Sequence, residues 1–103
     1  MRTYEAVPGK LQKLNDRFEH ITIGYFKKYN IKPIGFWTED IGSSNRLIYI
    51  LGFDSLSQRD AAWIEFRADR ERIKAFAETE QEGPLVANVH NTILKPTSYS
   101  EIK

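Results

Sequence analysis

An α+β fold is what the 103-residue sequence predicts, with its elements in the order β-α-β-β-α-β. Three observations lead there. The stretch from Ile34 to Phe53 reads as two arms rich in Ile, Phe, Trp and Tyr, joined by the turn residues Gly42-Ser43-Ser44-Asn45, which is hairpin chemistry. Segments with helical apolar spacing lie on either side of it, and each of these is flanked by a further strand-like segment. Both faces of the hairpin are mostly apolar, whereas a sheet covered by helices on one side only should show a polar solvent face. Split units of this kind fold as a ferredoxin-like sandwich, a four-stranded antiparallel sheet with both helices on one face. The helix-free face then calls for a partner, and a second copy of the chain is the economical one.

Arg2 to Val7 predicts the first strand, with Tyr4 and Ala6 on one side and Thr3, Glu5 and Val7 on the other; Pro8-Gly9 ends it. A helix is expected from Lys10 to Tyr29, since Leu11, Leu14, Phe18, Ile21, Tyr25 and Tyr29 recur every three or four residues. Gly24 within it suggests close packing or a bend, and Asn30 is placed to cap its C-terminus.

In the hairpin, a turn that sets Ile41 opposite Arg46 pairs Gly35 with Gly52, Phe36 with Leu51 and Trp37 with Ile50. Ile34, Phe36, Thr38, Leu47, Tyr49, Leu51 and Phe53 then share one face, and Trp37, Glu39, Ile48 and Ile50 the other. Ser55 followed by Gln58 is a capping box that opens the second helix. Ala62, Trp63 and Phe66 form its buried face, and Ile73, Phe76 and Ala77 are expected inward beyond Asp69, where the helix either breaks or continues. Gln81 to Pro84 stops it. Leu85 to Leu94 is the last strand; the tail runs from Lys95 to Tyr99, and Pro96 ends the ladder.

The length fits one domain, residues 1–103. The net charge of +1, with no basic stripe, speaks against a nucleic-acid partner. The absence of cysteine excludes disulfides and thiolate chemistry. No apolar run approaches the ~20 residues of a membrane span. The first strand starts at once, leaving no room for a leader, so a cytoplasmic location is expected.

Several words in the chain carry a resemblance. Arg2-Thr3-Tyr4 precedes Pro8-Gly9-Lys10. Gly35-Phe36-Trp37-Thr38 leads through Ile41-Gly42 to Asn45, Phe53-Asp54-Ser55-Leu56 opens the second helix, and Ile93-Leu94-Lys95-Pro96-Thr97 follows the last strand. In this order and spacing the sequence resembles the NIPSNAP family over essentially its full length. The resemblance implies a dimeric α+β barrel, in agreement with the two-faced sheet. It also implies a protein without assigned activity, since that is the case for most small single-domain members; eukaryotic members are associated with mitochondria and vesicle-related roles. Where members often carry a histidine and an acidic residue in the third strand, this chain has Tyr49 and Gly52. The same fold class includes cofactor-free monooxygenases, haem-degrading enzymes and stress-response barrels, in which the ligand commonly sits between sheet and helices.

Two functions follow as expectations. The first is a homodimeric binding or interaction protein without cofactor or catalytic residues, taking a small apolar or aromatic ligand between helices and sheet. Tyr25, Trp37, Tyr49, Trp63 and His90 are its candidate ligand residues; aromatic groups of this kind also serve simply as core and interface. The alternative is a cofactor-independent monooxygenase or haem-binding enzyme using the same aromatic pocket, with His90 as proton carrier or haem ligand. The plainer reading of His90 is an edge-strand side chain bonded to backbone or water. His20 falls opposite the apolar stripe and is solvated, and the two histidines lack metal-ligand spacing. Arg46 either holds a ligand carboxylate or pairs with Glu39 across the hairpin; Asp40 is a solvated edge residue. Ser43 and Ser44 belong to a turn without a base, and the mixed charges from Arg67 to Lys74 form a solvated helix face.

Overall fold

The computed structural model describes residues 1–102. The chain forms β1 (Arg2–Ala6), α1 (Leu11–Arg17), a π-helical turn (Phe18–Thr22), α2 (Ile23–Lys28), β2 (Lys32–Thr38), β3 (Arg46–Gly52), α3 (Leu56–Ala68), α4 (Arg70–Thr79) and β4 (Val86–Asn91). The expected β-α-β-β-α-β order holds, each helical segment being divided in two. The sheet runs β2-β3-β1-β4 and is antiparallel throughout. The helices lie on one face, where Ala6, Leu47 and Tyr49 of the sheet meet Leu14, Phe18, Phe26, Trp63 and Phe66. Among the described residues no helix is long and apolar enough to cross a membrane.

The first helical segment buries a stripe different from the expected one. Leu14, Phe18, Thr22 and Phe26 are buried, while Ile21 and Tyr25 are only half-buried. Steps of four residues overshoot a 3.6-residue turn, and the wider π-turn takes up the excess. The inward line therefore passes from Phe18 to Thr22 and Phe26 instead of to Ile21 and Tyr25. Gly24 is exposed, with open space where a Cβ would lie, so close packing is not its reason. Asn30 caps the segment as expected. It adopts φ 56°, its N–H donates to the Lys27 carbonyl at 3.3 Å, and that of Ile31 donates to Phe26 at 2.8 Å, a Schellman arrangement.

Ser55 caps α3, its hydroxyl accepting from the Gln58 N–H at 3.1 Å, and Gln58 returns a bond to the Asp54 N–H at 2.6 Å. Asp69 breaks the second segment. Its ψ of 112° is extended, and its carboxylate accepts from the Arg72 N–H at 3.0 Å, so it stops α3 and caps α4. The break resets the helical phase, and Ile73 and Ala77 point outward instead of inward. Arg72 takes the inner position, its guanidinium carbon 4.8 Å from the Phe66 ring centre and 4.9 Å from that of Phe76.

Asp69 also ties this break to the end of α2. Lys28 Nζ donates to its carboxylate at 2.8 Å, and the Tyr29 hydroxyl donates to the same oxygen. Lys28 first, then Tyr29 and the Arg72 N–H, hold the Asp69 carboxyl well below the usual aspartate range. A carboxylate with a depressed folded pKa contributes fully above its unfolded value and loses that contribution as acid approaches the folded value. Asp69→Asn retains a capping side chain but removes the charge. It is expected to lower the melting temperature by ~5 °C at pH 7, with the gap closing below about pH 4. Melts at pH 7 and pH 3 check this; an equal gap at both would show that the charge contributes nothing.

The hairpin ladder differs from the expected register by two residues. Phe36 pairs with Tyr49, Trp37 with Ile48 and Thr38 with Leu47. The turn is longer because Glu39 folds into it, accepting from the Ser43 N–H at 2.9 Å and from Arg46 Nε at 2.5 Å. Arg46 thus makes the pair with Glu39. A two-residue shift preserves the faces, except where a bulge between Pro33 and Gly35 turns Ile34 to the opposite side, against Gly52. A second irregularity, in the pairing of β1 with β4, puts Val86 opposite Ala6 although Asn88 is opposite Glu5. Val86 therefore joins the core side, and Asn88 and His90 face away from the helices.

Candidate functional site

Alternation along the strands decides what each face can do. On the helix side Tyr49 is fully buried, its ring centre 5.2 Å from Phe18, 5.3 Å from Phe36 and 5.5 Å from Tyr4. Phe26 links this group to α3, at 6.2 Å from Tyr49, 6.0 Å from Trp63 and 5.5 Å from Phe66. The Tyr49 hydroxyl donates to that of Tyr4 at 3.2 Å, and burial pushes its pKa far above that of an ordinary phenol. At neutral pH it is a donor and not a base.

Of the five candidate residues, Tyr49 and Trp63 belong to this one aromatic layer. Tyr25 lies outside it, half-buried, on a shallow groove of about 430 Å³ that His20, Gly24, Lys28 and Glu71 also line. Trp37 and His90 are on the other face of the sheet. That placement removes His90 from the aromatic pocket assumed for the enzymatic alternative.

The helix-free face has two halves. On β2 and β3 it is apolar beyond the Glu39–Arg46 pair at the turn: Ile34 and Trp37 are 44% and 50% exposed, next to the half-buried Ile48 and Ile50. The Trp37 indole lies over Gly35, where a Cβ would stand 2.6 Å from the ring, so only glycine leaves it this position. On β1 and β4 the face is polar. Glu5 accepts from Asn88 at 3.2 Å and lies 3.1 Å from His90 Nε2; Asn88 first and then His90 hold its carboxyl below the ordinary glutamate range. His90 is thus an exposed partner of a carboxylate. No group of His, Asp or Glu side chains among the described residues is arranged to hold a metal ion.

Sequence reasoning passed over Arg2. Its guanidinium carbon lies 4.6 Å from the Trp63 ring centre, 5.3 Å from Tyr4 and 6.0 Å from Tyr49. The signal was available: Arg2 alternates with Tyr4 and Ala6, so the face that buries those two also takes Arg2.

Comparison with known proteins agrees with this architecture. The family model for NIPSNAP matches residues 1–101. An uncharacterized NIPSNAP-like domain protein from Burkholderia xenovorans superposes with a TM-score of 0.85 at 26% identity, over 96% of this chain and 84% of that one. A NIPSNAP family protein from Agrobacterium tumefaciens gives 0.85 at 26% identity, over 99% and 94%. A second from that organism, of unknown function, gives 0.87 at 24% identity, over 99% and 89%. Among curated proteins, none matches the chain.

Proposed function

Since this chain belongs to the NIPSNAP family, we propose that it is a homodimeric binding protein, its two copies pairing through their helix-free sheet faces and each offering the helix side of its sheet to a small apolar or aromatic ligand. The observation that carries the reading is the wet apolar half-face of Ile34, Trp37, Ile48 and Ile50. Its tryptophan is held in place over Gly35, and a second copy would supply matching apolar surface. The segment after β4 adds to this. Ile93 and Leu94 are 64% and 56% exposed and Tyr99 86%, and the radius of gyration, 14.4 Å, exceeds the ~13 Å of a compact chain of this length. An apolar arm of this kind gains cover from a neighbouring copy.

Light scattering at micromolar concentration is expected to give twice the mass of the chain; the mass of one chain would overturn the pairing. On the ligand side, Tyr49 and Trp63 are buried within the aromatic layer, and a ligand would meet that layer at the half-buried Tyr4 on its margin. His90, across the sheet from both, supplies no proton there, so the binding reading is preferred to the enzymatic one. A cytoplasmic location, with no nucleic-acid partner, completes the proposal, and cell fractionation checks the first of these.

A further inference from the structure

Arg2 has more donors than the fold uses. It stands on the helix side of β1, opposite Tyr49 on one neighbouring strand and Asn91 on the other. Three aromatic rings surround its guanidinium, the closest being Trp63 at 4.6 Å, an arrangement that attracts a cation, and the Tyr49 hydroxyl is the one group in it that meets an Arg2 donor. Among the described residues no carboxylate pairs with it. Its Nε is buried without a hydrogen-bond partner, and a donor in that condition is an expense unless something binds it.

The neighbourhood is positive in other respects too. Arg59 lies one turn before Trp63 on α3, and its carboxylate partner, Asp60, is itself 65% exposed. Arg67, one turn after, has its guanidinium carbon 5.9 Å from the Trp63 ring centre. Burial first, then Arg2 and Arg59, hold the amino group of Met1 below its ordinary pKa.

The β4 side of this cluster is exposed: Asn91 and Val89 lie opposite Arg2 and Tyr4 on the same face of the sheet and are both exposed. The hydroxyl of Tyr4 accepts from Tyr49, which leaves its own O–H as a donor.

We propose that Arg2 and Tyr4 bind the carboxylate of a small aromatic or apolar acid, whose body lies along the exposed Val89 at the edge of the aromatic layer that holds Trp63. The fork of a guanidinium matches a carboxylate, and the ring of Trp63 behind it fixes the plane of approach. This rests on the ligand half of the function proposed above and gives that ligand its charge. It also assigns a role to the arginine that the aromatic layer by itself does not need.

Benzoate and its uncharged counterpart benzamide are the probes, read by the indole N–H resonances of Trp63 and Trp37 in the full-length protein. Benzoate is expected to shift Trp63 saturably and leave Trp37, on the opposite face, unmoved, with benzamide binding at least about tenfold more weakly. Arg2→Met is expected to lose that preference, and Arg2→Lys to retain part of it. If Arg2→Met fails to fold, by circular dichroism, the wild-type comparison and Arg2→Lys decide. Equal binding of the two probes at Trp63, or benzoate binding undiminished in a folded Arg2→Met, would overturn the role of Arg2 and leave an apolar ligand site. No shift at Trp63 with either probe up to ~10 mM would remove the ligand site as well.

Discussion

Phe26→Ala is expected to destabilise the chain by about 3–5 kcal/mol, whereas Tyr25→Ala, one position away, should cost under ~1.5 kcal/mol. Phe26 is 1% exposed and stands among Phe18, Tyr49, Trp63 and Phe66, so it holds both helical segments to the sheet. Its removal leaves a void that rings fixed by their own neighbours cannot close. Tyr25 is half-exposed beside α4, and water can replace what its truncation removes. Urea melts of the two variants measure the difference. Similar losses for both would mean that the inward line of the first helical segment runs through Tyr25, and that the π-turn does not reset its phase.

That pair of residues also marks where the sequence stopped being informative. A spacing of three and four residues finds an amphipathic helix but assumes a constant turn. Leu14, Phe18, Thr22 and Phe26 recur every four, and a regular helix cannot keep such a line facing inward. The polar Thr22 within it hid the line further. The same limit applies at Asp69, where both a break and a continuation were consistent with the residues. Only the contacts with Lys28 and Tyr29, which come from the distant end of α2, settle it. Element order, the caps at Asn30 and Ser55 and the division of the hairpin into two faces were legible, because each depends on neighbours in the chain.

The candidate site was less legible for a similar reason. Aromatic residues could be collected by type, but the strand parity that separates Tyr49 from Trp37 and His90 matters more than their shared chemistry. His90 shows this well. It drew notice as an ionisable group in a chain with few candidates, yet its partner is Glu5, three strands away in the sequence and adjacent in the sheet. Arg2 drew none, because an arginine at the start of a strand reads as solvated until the ring of Trp63, from α3, is seen to cover it.

Trp37→Lys is expected to convert the proposed dimer into single chains, raising the dissociation constant by about 100-fold or more. The substitution removes the largest apolar side chain of the helix-free face and sets a charge where a second copy would have to desolvate it. Nothing in the fold of one chain opposes the change, because Trp37 is 50% exposed and lies outside the core cluster. Mass should therefore fall while the thermal transition of the diluted protein changes little. Gly35→Ala tests the same surface without altering its charge. A methyl group there would stand 2.6 Å from the Trp37 ring, so the indole must leave its place over the strand and pairing should weaken, though less than with lysine. His90→Ala serves as the contrast, since it perturbs the polar half of the face, and should leave the mass unchanged at micromolar concentration. If Trp37→Lys and Gly35→Ala keep the doubled mass and His90→Ala loses it, the copies meet through the β1 and β4 half, and the apolar half-face needs a different cover.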